Sequence, residues 1–216
     1  MRYPPGMRVR AALLIAAAVA ATGTLAAQGE PTLAPVDRDG AITYFIEEGK
    51  PETSFRPGDR QLAVWALEAW ARASNGALRF EPAAERDALI QVKWVAAEDG
   101  QYGEMRPLRV NGRRGAAVYV RPDTNGLGPV IAGRARADAL LRDTIVYLTC
   151  LHELGHALGL SHTAAFADIM YAFPFGGDIP MYFGRYREQL SARGDIATVS
   201  GLSSDDVARI RTLYPR

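Results

Sequence analysis

The three histidines of this 216-residue chain all lie in one stretch, residues 152–162, which reads HELGHALGLSH. His152 and His156 are four residues apart, so on a helix both imidazoles project from the same face. Neutral imidazole is a good zinc ligand, and two rings on one helix would hold the metal at a fixed geometry. Glu153 follows the first of these ligands, so its carboxylate can approach the metal and take a proton from a zinc-bound water. The residue types and their spacing therefore predict a catalytic zinc site.

Gly159 stands where that helix should end, in a position that commonly adopts the left-handed conformation that glycine tolerates best. The chain can then turn and bring His162 to the metal as a third ligand, which leaves the fourth position for water, as in catalytic zinc sites. The alternative is that the histidines are ordinary structural residues, but scattering three histidines at random would give these spacings roughly once in ten thousand tries. Gly155 lies inside the helix and should tolerate alanine, the better helix former, unless packing excludes the methyl group.

The stretch from His152 to His162 resembles the metzincin signature HExxHxxGxxH, and its surroundings look like the matrixin branch of that clan. Met170, eight residues after His162 in the segment DIMY, resembles the Met-turn that lies beneath the metal. The closing segment LSSDDVARIRTLY, residues 202–214, resembles the C-terminal helix of matrixin catalytic domains. The resemblance implies an α+β, metzincin-like zincin fold with a twisted mixed five-stranded sheet, a zinc-binding active-site helix and a small C-terminal subdomain.

The resemblance also implies a zinc-dependent endopeptidase that hydrolyses internal peptide bonds of a protein or peptide through a zinc-bound water activated by Glu153. It implies one catalytic Zn²⁺ whose ligands are His152, His156 and His162. Gly159 and Met170 would support the site. A rival interpretation is a secreted zinc-binding or adhesion module without turnover, but such a module would have no need of a carboxylate at Glu153. A second rival is a peptidase that acts as a toxin or processes one dedicated partner.

The chain departs from the matrixin pattern at several positions. Thr163 follows the third ligand where matrixins usually have serine, a change that keeps the hydroxyl group. Because the chain has no further histidine, the second, structural zinc site of matrixins is not expected, and calcium sites cannot be matched to any residue. Ala172 occupies the position of the zinc-reaching tyrosine of astacin-like enzymes. Cys150 is the one cysteine and should be a buried, inert thiol. Because no cysteine lies upstream of the domain, the cysteine-containing propeptide that keeps matrixins latent is not expected.

The first 27 residues read as a secretory signal peptide, with three arginines, an apolar run and small residues before the expected cleavage point. An uncleaved membrane anchor is the alternative, because the uncharged stretch Ala11–Gln28 is near the lower length limit for a span. Residues 28–41 should be a flexible lead-in, and residues 42–216 a catalytic domain that is secreted, whether extracellular, periplasmic or in the cell envelope. Removing the three arginines leaves 22 basic and 24 acidic residues, or −2, so charge gives no case for nucleic acid or anionic membrane.

Hydrophobic patterning along the rest of the chain is typical of a mixed-sheet domain. It predicts strands at residues 42–46, 78–80, 88–95, 105–110 and 115–121, and helices at about 60–74, at 137–158 and after a cap at Ser203 or Ser204. Asn111-Gly112 predicts a hairpin between the last two strands, and Pro107 confines the first of those two to a sheet edge. Residues 122–134 should be a loop and residues 161–201 irregular.

Substrate placement can also be predicted. Metzincins bind substrate extended along a strand at the sheet edge, so a peptide should add antiparallel to Met105–Val110. The segment Ala172–Gly201 is long for a matrixin, and five of its aromatic residues are candidate walls of the pocket beyond the scissile bond: Phe173, Phe175, Tyr182, Phe183 and Tyr186. The alternative is that this segment is a surface loop packed on itself.

Overall fold

The computed structural model describes residues 34–36, 40–97 and 102–216, and within these residues a five-stranded mixed sheet carries the helices. The strands are β1 (Ile42–Ile46), β2 (Phe80–Pro82), β3 (Ile90–Trp94), β4 (Gly103–Val110) and β5 (Arg113–Val120), in the spatial order β2-β1-β3-β5-β4. All neighbouring strands are parallel except β4, which runs antiparallel to β5. The predicted α+β fold with a mixed five-stranded sheet is thus confirmed.

The hairpin between β4 and β5 places a free strand at one edge of the sheet. Asn111 and Gly112 have φ values of 50° and 79°, as a two-residue turn with two left-handed positions requires. Pro107 lies in β4, opposite Ala116, and a proline is tolerated there because β4 is the edge strand. The sequence-based prediction for this hairpin and its edge is therefore confirmed.

Five α-helices occur in the described residues: α1 (Asp59–Ala73), α2 (Pro129–Ala137), α3 (Ala139–Ala157), α4 (Ile179–Arg187) and α5 (Ser204–Leu213). α3 packs against β4 and β5, and α1 packs against α3. Trp70 of α1 is fully buried, and its indole N–H donates a hydrogen bond of 2.9 Å to the carbonyl oxygen of Leu151. This bond joins the two helices one residue before the first histidine, so α1 supports the part of α3 that carries the motif.

One prediction about these helices was wrong, and another was confirmed with a slightly later start. The predicted loop at 122–134 contains the start of α2, whose first residue, Pro129, suits a helix start because its missing N–H would have no partner there. The helix predicted from about 137 to 158 is confirmed as α3, and it begins after Asp138, which has an extended backbone and accepts hydrogen bonds from the N–H groups of Leu140 and Leu141 at 3.0 and 3.1 Å. Asp138 therefore ends α2 and caps α3.

The segment 161–201, predicted to be irregular, contains α4. Its N-cap is Asp178, which accepts a hydrogen bond of 2.7 Å from the N–H of Met181. The predicted cap of the closing helix is confirmed at Ser203, which exchanges hydrogen bonds with Asp206 in a capping box. Asp206 is fully buried, so this helix start is part of the core.

Residues 31–216 form one compact unit. The first strand begins at Ile42, where the catalytic domain was expected to begin, while the predicted signal segment, residues 1–27, lies outside the described residues. Among the residues that the structure describes, no helix has the length and hydropathy needed to cross a bilayer.

Candidate active site

His152 and His156 lie on the last turns of α3, and each has a backbone carbonyl that orients its ring. Nδ1 of His152 is 2.6 Å from the carbonyl oxygen of Ile169, and Nδ1 of His156 is 2.8 Å from that of Leu160. Because a carbonyl oxygen only accepts, Nδ1 carries the hydrogen in both rings. The lone pair that can bind a metal is therefore on Nε2 of each ring.

The end of α3 turns the chain so that His162 joins the other two rings. Gly159 has φ +96°, its N–H donates to the carbonyl of His156, and the N–H of Leu160 donates to the carbonyl of Gly155, both at 2.9 Å. This pair of bonds is a Schellman motif, whose left-handed position glycine occupies without a steric cost. The predicted left-handed turn at Gly159 is confirmed, and it is this turn that redirects residues 160–162.

The three imidazoles converge on one point through the nitrogens expected to bind a metal. Nε2 of His162 is 3.3 Å from Nε2 of His152 and 3.0 Å from Nε2 of His156. Nitrogens held about 2.0–2.1 Å from a tetrahedral zinc lie roughly 3.3–3.4 Å apart, so the observed spacing is close to that of three zinc ligands. Among the described residues, this cluster is the group of three or more His, Cys, Asp and Glu side chains close enough to hold a metal. The residues present therefore fit the zinc that the motif implies.

Glu153 lies beside this cluster and is 6% exposed. Its carboxylate rests against the backbone of Gly103, the first residue of β4. Burial, and secondarily the carboxylate of Glu104, raises the pKa of Glu153 to about 8. A dication among the histidines would favour the charged form instead. Glu153 is thus a buried carboxylate directly after the first of three convergent imidazoles, and it can accept a proton.

Met170 is fully buried, and its backbone is tied to the segment that carries the third histidine. The N–H of Thr163, the residue after His162, donates to the carbonyl of Met170 at 2.8 Å. A methyl group at Gly155 would overlap Sδ of Met170 and lie 3.1 Å from Cζ2 of Trp70. Packing therefore excludes the methyl group, and the expected tolerance of Gly155 to alanine does not hold.

The aromatic residues of the segment 172–201 do not act as one group. Tyr182, Phe183 and Tyr186 of α4 are 3%, 5% and 3% exposed, so these three candidate pocket walls belong to the core. Phe175, in contrast, is 63% exposed, and Phe173 is partly buried. These residues of α4 also do not form the surface loop packed on itself that was the alternative, because α4 packs against α3. Phe173 and Phe175 stay candidates for the pocket.

Three further residues contact parts of the site, and the sequence alone did not predict these contacts. Gly103 admits the Glu153 carboxylate, Gly155 admits Met170, and Tyr182 donates to the carbonyl of Ile169. A glycine at the start of a strand or inside a helix only weakly indicates that another segment lies close to its backbone. The sequence does not show which distant segment that is. Cys150 is fully buried, as predicted, and burial raises the pKa of its thiol.

The sequence profile of the matrixin family matches residues 36–176. Interstitial collagenase of Sus scrofa is 31% identical over 147 residues, which are 65% of this chain and 29% of the relative. Macrophage metalloelastase of Oryctolagus cuniculus is 29% identical over 187 residues, 83% of this chain and 34% of the relative. The chain thus spans about a third of the length of these relatives. The solved structure of myroilysin covers 82% of this chain, at 18% identity and a TM-score of 0.35, a likeness too weak to bear on function.

The profile match takes in the five strands, α1 to α3, the three histidines and Met170, and it stops before α4. It covers well over half of the 216 residues. The chain therefore belongs to the matrixin family.

Proposed function

We propose that this chain is a zinc-dependent endopeptidase in which Glu153 is the general base. The observation that carries the proposal is the convergence of the three Nε2 atoms beside a buried carboxylate, within a matrixin domain. The residues that would hold the ion are His152, His156 and His162. Gly159 supports them through the left-handed turn, and Met170 through its packing against Gly155 and its backbone hydrogen bond with Thr163.

When bound, zinc supplies a Lewis acid that lowers the pKa of water, polarises the scissile carbonyl and stabilises the negative charge that develops on its oxygen. The protein supplies the proton transfers. Glu153 accepts a proton from the attacking water and donates it to the nitrogen of the leaving amine, which returns the carboxylate to its starting state. Its burial keeps bulk water from competing for the proton.

The substrate would bind along the free edge of the sheet. Within the described residues β4 pairs with β5 alone, so the backbone groups on its other side can pair with a peptide. In a peptide antiparallel to β4, the N-terminal residues lie near Val110 and the C-terminal residues lie near Gly103, where the Glu153 carboxylate is. This direction places the residues after the cut beyond Gly103.

A zinc-binding module without turnover is the rival from a different class. It would need the three histidines but no carboxylate next to them. In this chain Glu153 is buried, and the burial of a carboxylate has a free-energy cost that metal binding alone does not require. The peptidase therefore accounts for one more feature of the site than the rival does.

The proposal includes export with removal of residues 1–27, which is supported by the arginines, apolar run and small residues of that segment. N-terminal sequencing of the protein recovered outside the producing cells tests this part. A mature protein that begins near residue 27 or 28 is expected, and an intact Met1 would contradict cleavage.

The function itself is tested with a peptide library derived from a whole proteome, incubated with the mature protein in the presence and absence of a zinc chelator. New termini at internal peptide bonds, lost with chelator and restored by zinc, are expected. Zinc bound at one ion per chain without any new termini would support the binding module instead.

A further inference from the structure

The carbonyl oxygen of Ile169, just before Met170, receives two hydrogen bonds from different helices. Nδ1 of His152, on α3, is 2.6 Å away, and the hydroxyl of Tyr182, on α4, is 3.1 Å away. The same hydroxyl is 3.2 Å from the carbonyl oxygen of Asp168, so it lies between two successive carbonyls of the turn. The N–H of Ile169 is also bound, to a carboxylate oxygen of Asp206 at 2.8 Å. The peptide groups on both sides of Ile169 are thus anchored by α4 and α5.

An acceptor on Nδ1 matters to a metal-binding histidine because it holds both the tautomer and the plane of the ring. Outer partners of this kind typically change metal affinity by about 10–100-fold when they are removed. The position of the Ile169 carbonyl therefore decides where Nε2 of His152 points. A group that fixes the position of this carbonyl therefore also fixes His152, through the hydrogen bond between the carbonyl and Nδ1.

We propose that Tyr182 is a positioning residue for the zinc ligand His152, acting through the carbonyl of Ile169. This inference rests on the proposed zinc site. It gives the segment 172–201, which lies mostly beyond the family match, a role in the metal centre other than a pocket wall. The role belongs to the hydroxyl group, while the ring of Tyr182 contributes to packing.

The surroundings of Tyr182 hold its hydroxyl in one place. The side chain is 3% exposed, and its ring packs against the rings of Phe166, Phe173 and Phe183. The guanidinium of Arg185 lies over the ring at 4.3 Å and donates to the carbonyl oxygen of Phe166. A ring enclosed in this way has little freedom to rotate, so its hydroxyl can define the position of the carbonyls it binds.

The test compares Tyr182→Phe with Tyr186→Phe. Tyr186 is one helical turn further along α4, equally buried, and its hydroxyl donates to the carbonyl of Val199 at 3.0 Å, away from the turn. Each variant keeps the ring and loses one buried hydroxyl that donates to backbone carbonyl oxygen, so their metal-free stabilities should fall similarly. Zinc affinity is measured by competition with a chromogenic chelator, and independently by the rise in unfolding temperature that zinc produces.

We expect Tyr182→Phe to bind zinc roughly tenfold more weakly than wild type, at the lower end of the range for outer partners, and Tyr186→Phe to bind it as wild type does. The Nδ1–H resonance of His152 should shift in Tyr182→Phe alone, while that of His156 stays in place. Equal affinities in all three proteins, or equal losses in both variants, would overturn the role of Tyr182 and leave the zinc site intact. A wild-type protein that binds no zinc would overturn the proposed function first.

Discussion

The carboxylate of Glu153 lies against the backbone of Gly103, so that the proposed general base and the first residue of the edge strand share one small space. A Cβ atom at Gly103 would lie 2.7 Å from Cγ and 2.8 Å from Cδ of Glu153, whereas ordinary contacts of a Cβ atom are 3.4–4 Å. The absence of a side chain at Gly103 therefore lets the carboxylate lie directly under the edge along which a peptide is proposed to bind. At this point strand β4 and helix α3 are in contact through the side chain of Glu153.

Gly103→Ala should therefore reduce catalysis without loss of zinc. The group that would collide is the end of a flexible side chain, so the carboxylate of Glu153 should move while the backbone stays in place. A displacement of about 1 Å near the reacting atoms can cost up to roughly a hundredfold, and we expect kcat to fall at least tenfold. The matched control is Gly133→Ala on α2, where the nearest atom to a new Cβ is 4.0 Å away. An unchanged kcat in the Gly103 variant would contradict the prediction that a methyl group at this position displaces the carboxylate of Glu153.

Glu153→Ala should keep one zinc per chain and lose at least about a hundredfold in activity, the usual contribution of a general base. The three histidines remain, and the hydrogen bonds that orient His152 and His156 do not involve Glu153. Zinc content by atomic absorption and peptide hydrolysis are measured on the same sample. Full activity in the zinc-loaded variant would exclude the proposed proton transfers.

Gly159→Val should weaken the retention of zinc. Gly159 has φ +96°, where a side chain costs roughly 1–2 kcal/mol for alanine and more for a β-branched residue. Part of that strain can be relieved if residues 160–162 move, which would carry His162 away from the other rings. The measurement is zinc loss to a competing chelator, with the far-UV circular dichroism spectrum expected to stay close to wild type.

The control for this variant needs the same kind of backbone strain at a distance from the metal. Gly155→Ala is unsuitable, because its methyl group would overlap Met170. Gly112→Val is suitable, since Gly112 has φ +79° at the tip of the hairpin and open space around a new Cβ. Both valine variants should lose stability, and only the one at Gly159 should lose zinc affinity. Identical zinc retention in the two would remove the argument that the turn places His162.

Asp138 should stabilise the ligand-bearing helix in a pH-dependent manner. Burial alone would raise its pKa, but the N–H of Leu141 and the guanidinium of Arg187 outweigh that effect, so the pKa of Asp138 is lowered. A lowered pKa in the folded state contributes stability that is present above the unfolded value of about 3.9 and is lost as the pH falls through the folded value. Asp138→Ala should lower the free energy of unfolding by about 1 kcal/mol at pH 7. Urea titrations of both proteins should show this difference shrinking below about pH 4; a constant difference would rule out the charge as its source.

The parts of the site that could be predicted from the sequence are those whose geometry is local. Two histidines four residues apart share a helix face whatever surrounds them, and Gly159 follows that helix directly, so neither needs knowledge of the fold. Asn111-Gly112 predicts its hairpin for the same reason. The start of α3 was predicted about two residues early because Ala137 and Ala139 flank Asp138, and the helical period alone does not distinguish a cap from the first residues of a helix.

The parts that could not be predicted depend on contacts between distant segments. Gly103 and Glu153 are 50 positions apart, and nothing in the period of either segment requires them to meet. The hydroxyl of Tyr182 reaches the carbonyl of Ile169 only because α4 packs beside the segment that contains Met170. In the sequence alone, the aromatic residues of α4 were equally consistent with a pocket wall. Burial distinguishes these two roles, and burial is a property of the folded chain.

Phe175 is the more exposed of the two aromatic residues of the segment 172–201 that stay candidates for contact with a substrate, and its role can be tested with an internal control. It is 63% exposed and lies five residues after Met170, on the chain that continues from Tyr171, which pairs with Thr163 next to the third histidine. Met181 is 57% exposed but lies on α4. Both can be changed to alanine with little effect on stability, within about 0.5 kcal/mol, because neither side chain is buried.

Phe175→Ala should change the residue preferred just after the cut, because its exposed ring lies near the ring of Tyr171, which pairs with Thr163 next to the third histidine, and can contact a substrate there. Met181→Ala removes an exposed apolar side chain of similar reach from the same segment and should leave the cleavage profile as it is. The measurement is the distribution of residues on both sides of the cut in the peptide library, normalised to total turnover. A profile that stays the same in both variants would make Phe175 an ordinary surface residue, and a change in both would point to the segment as a whole.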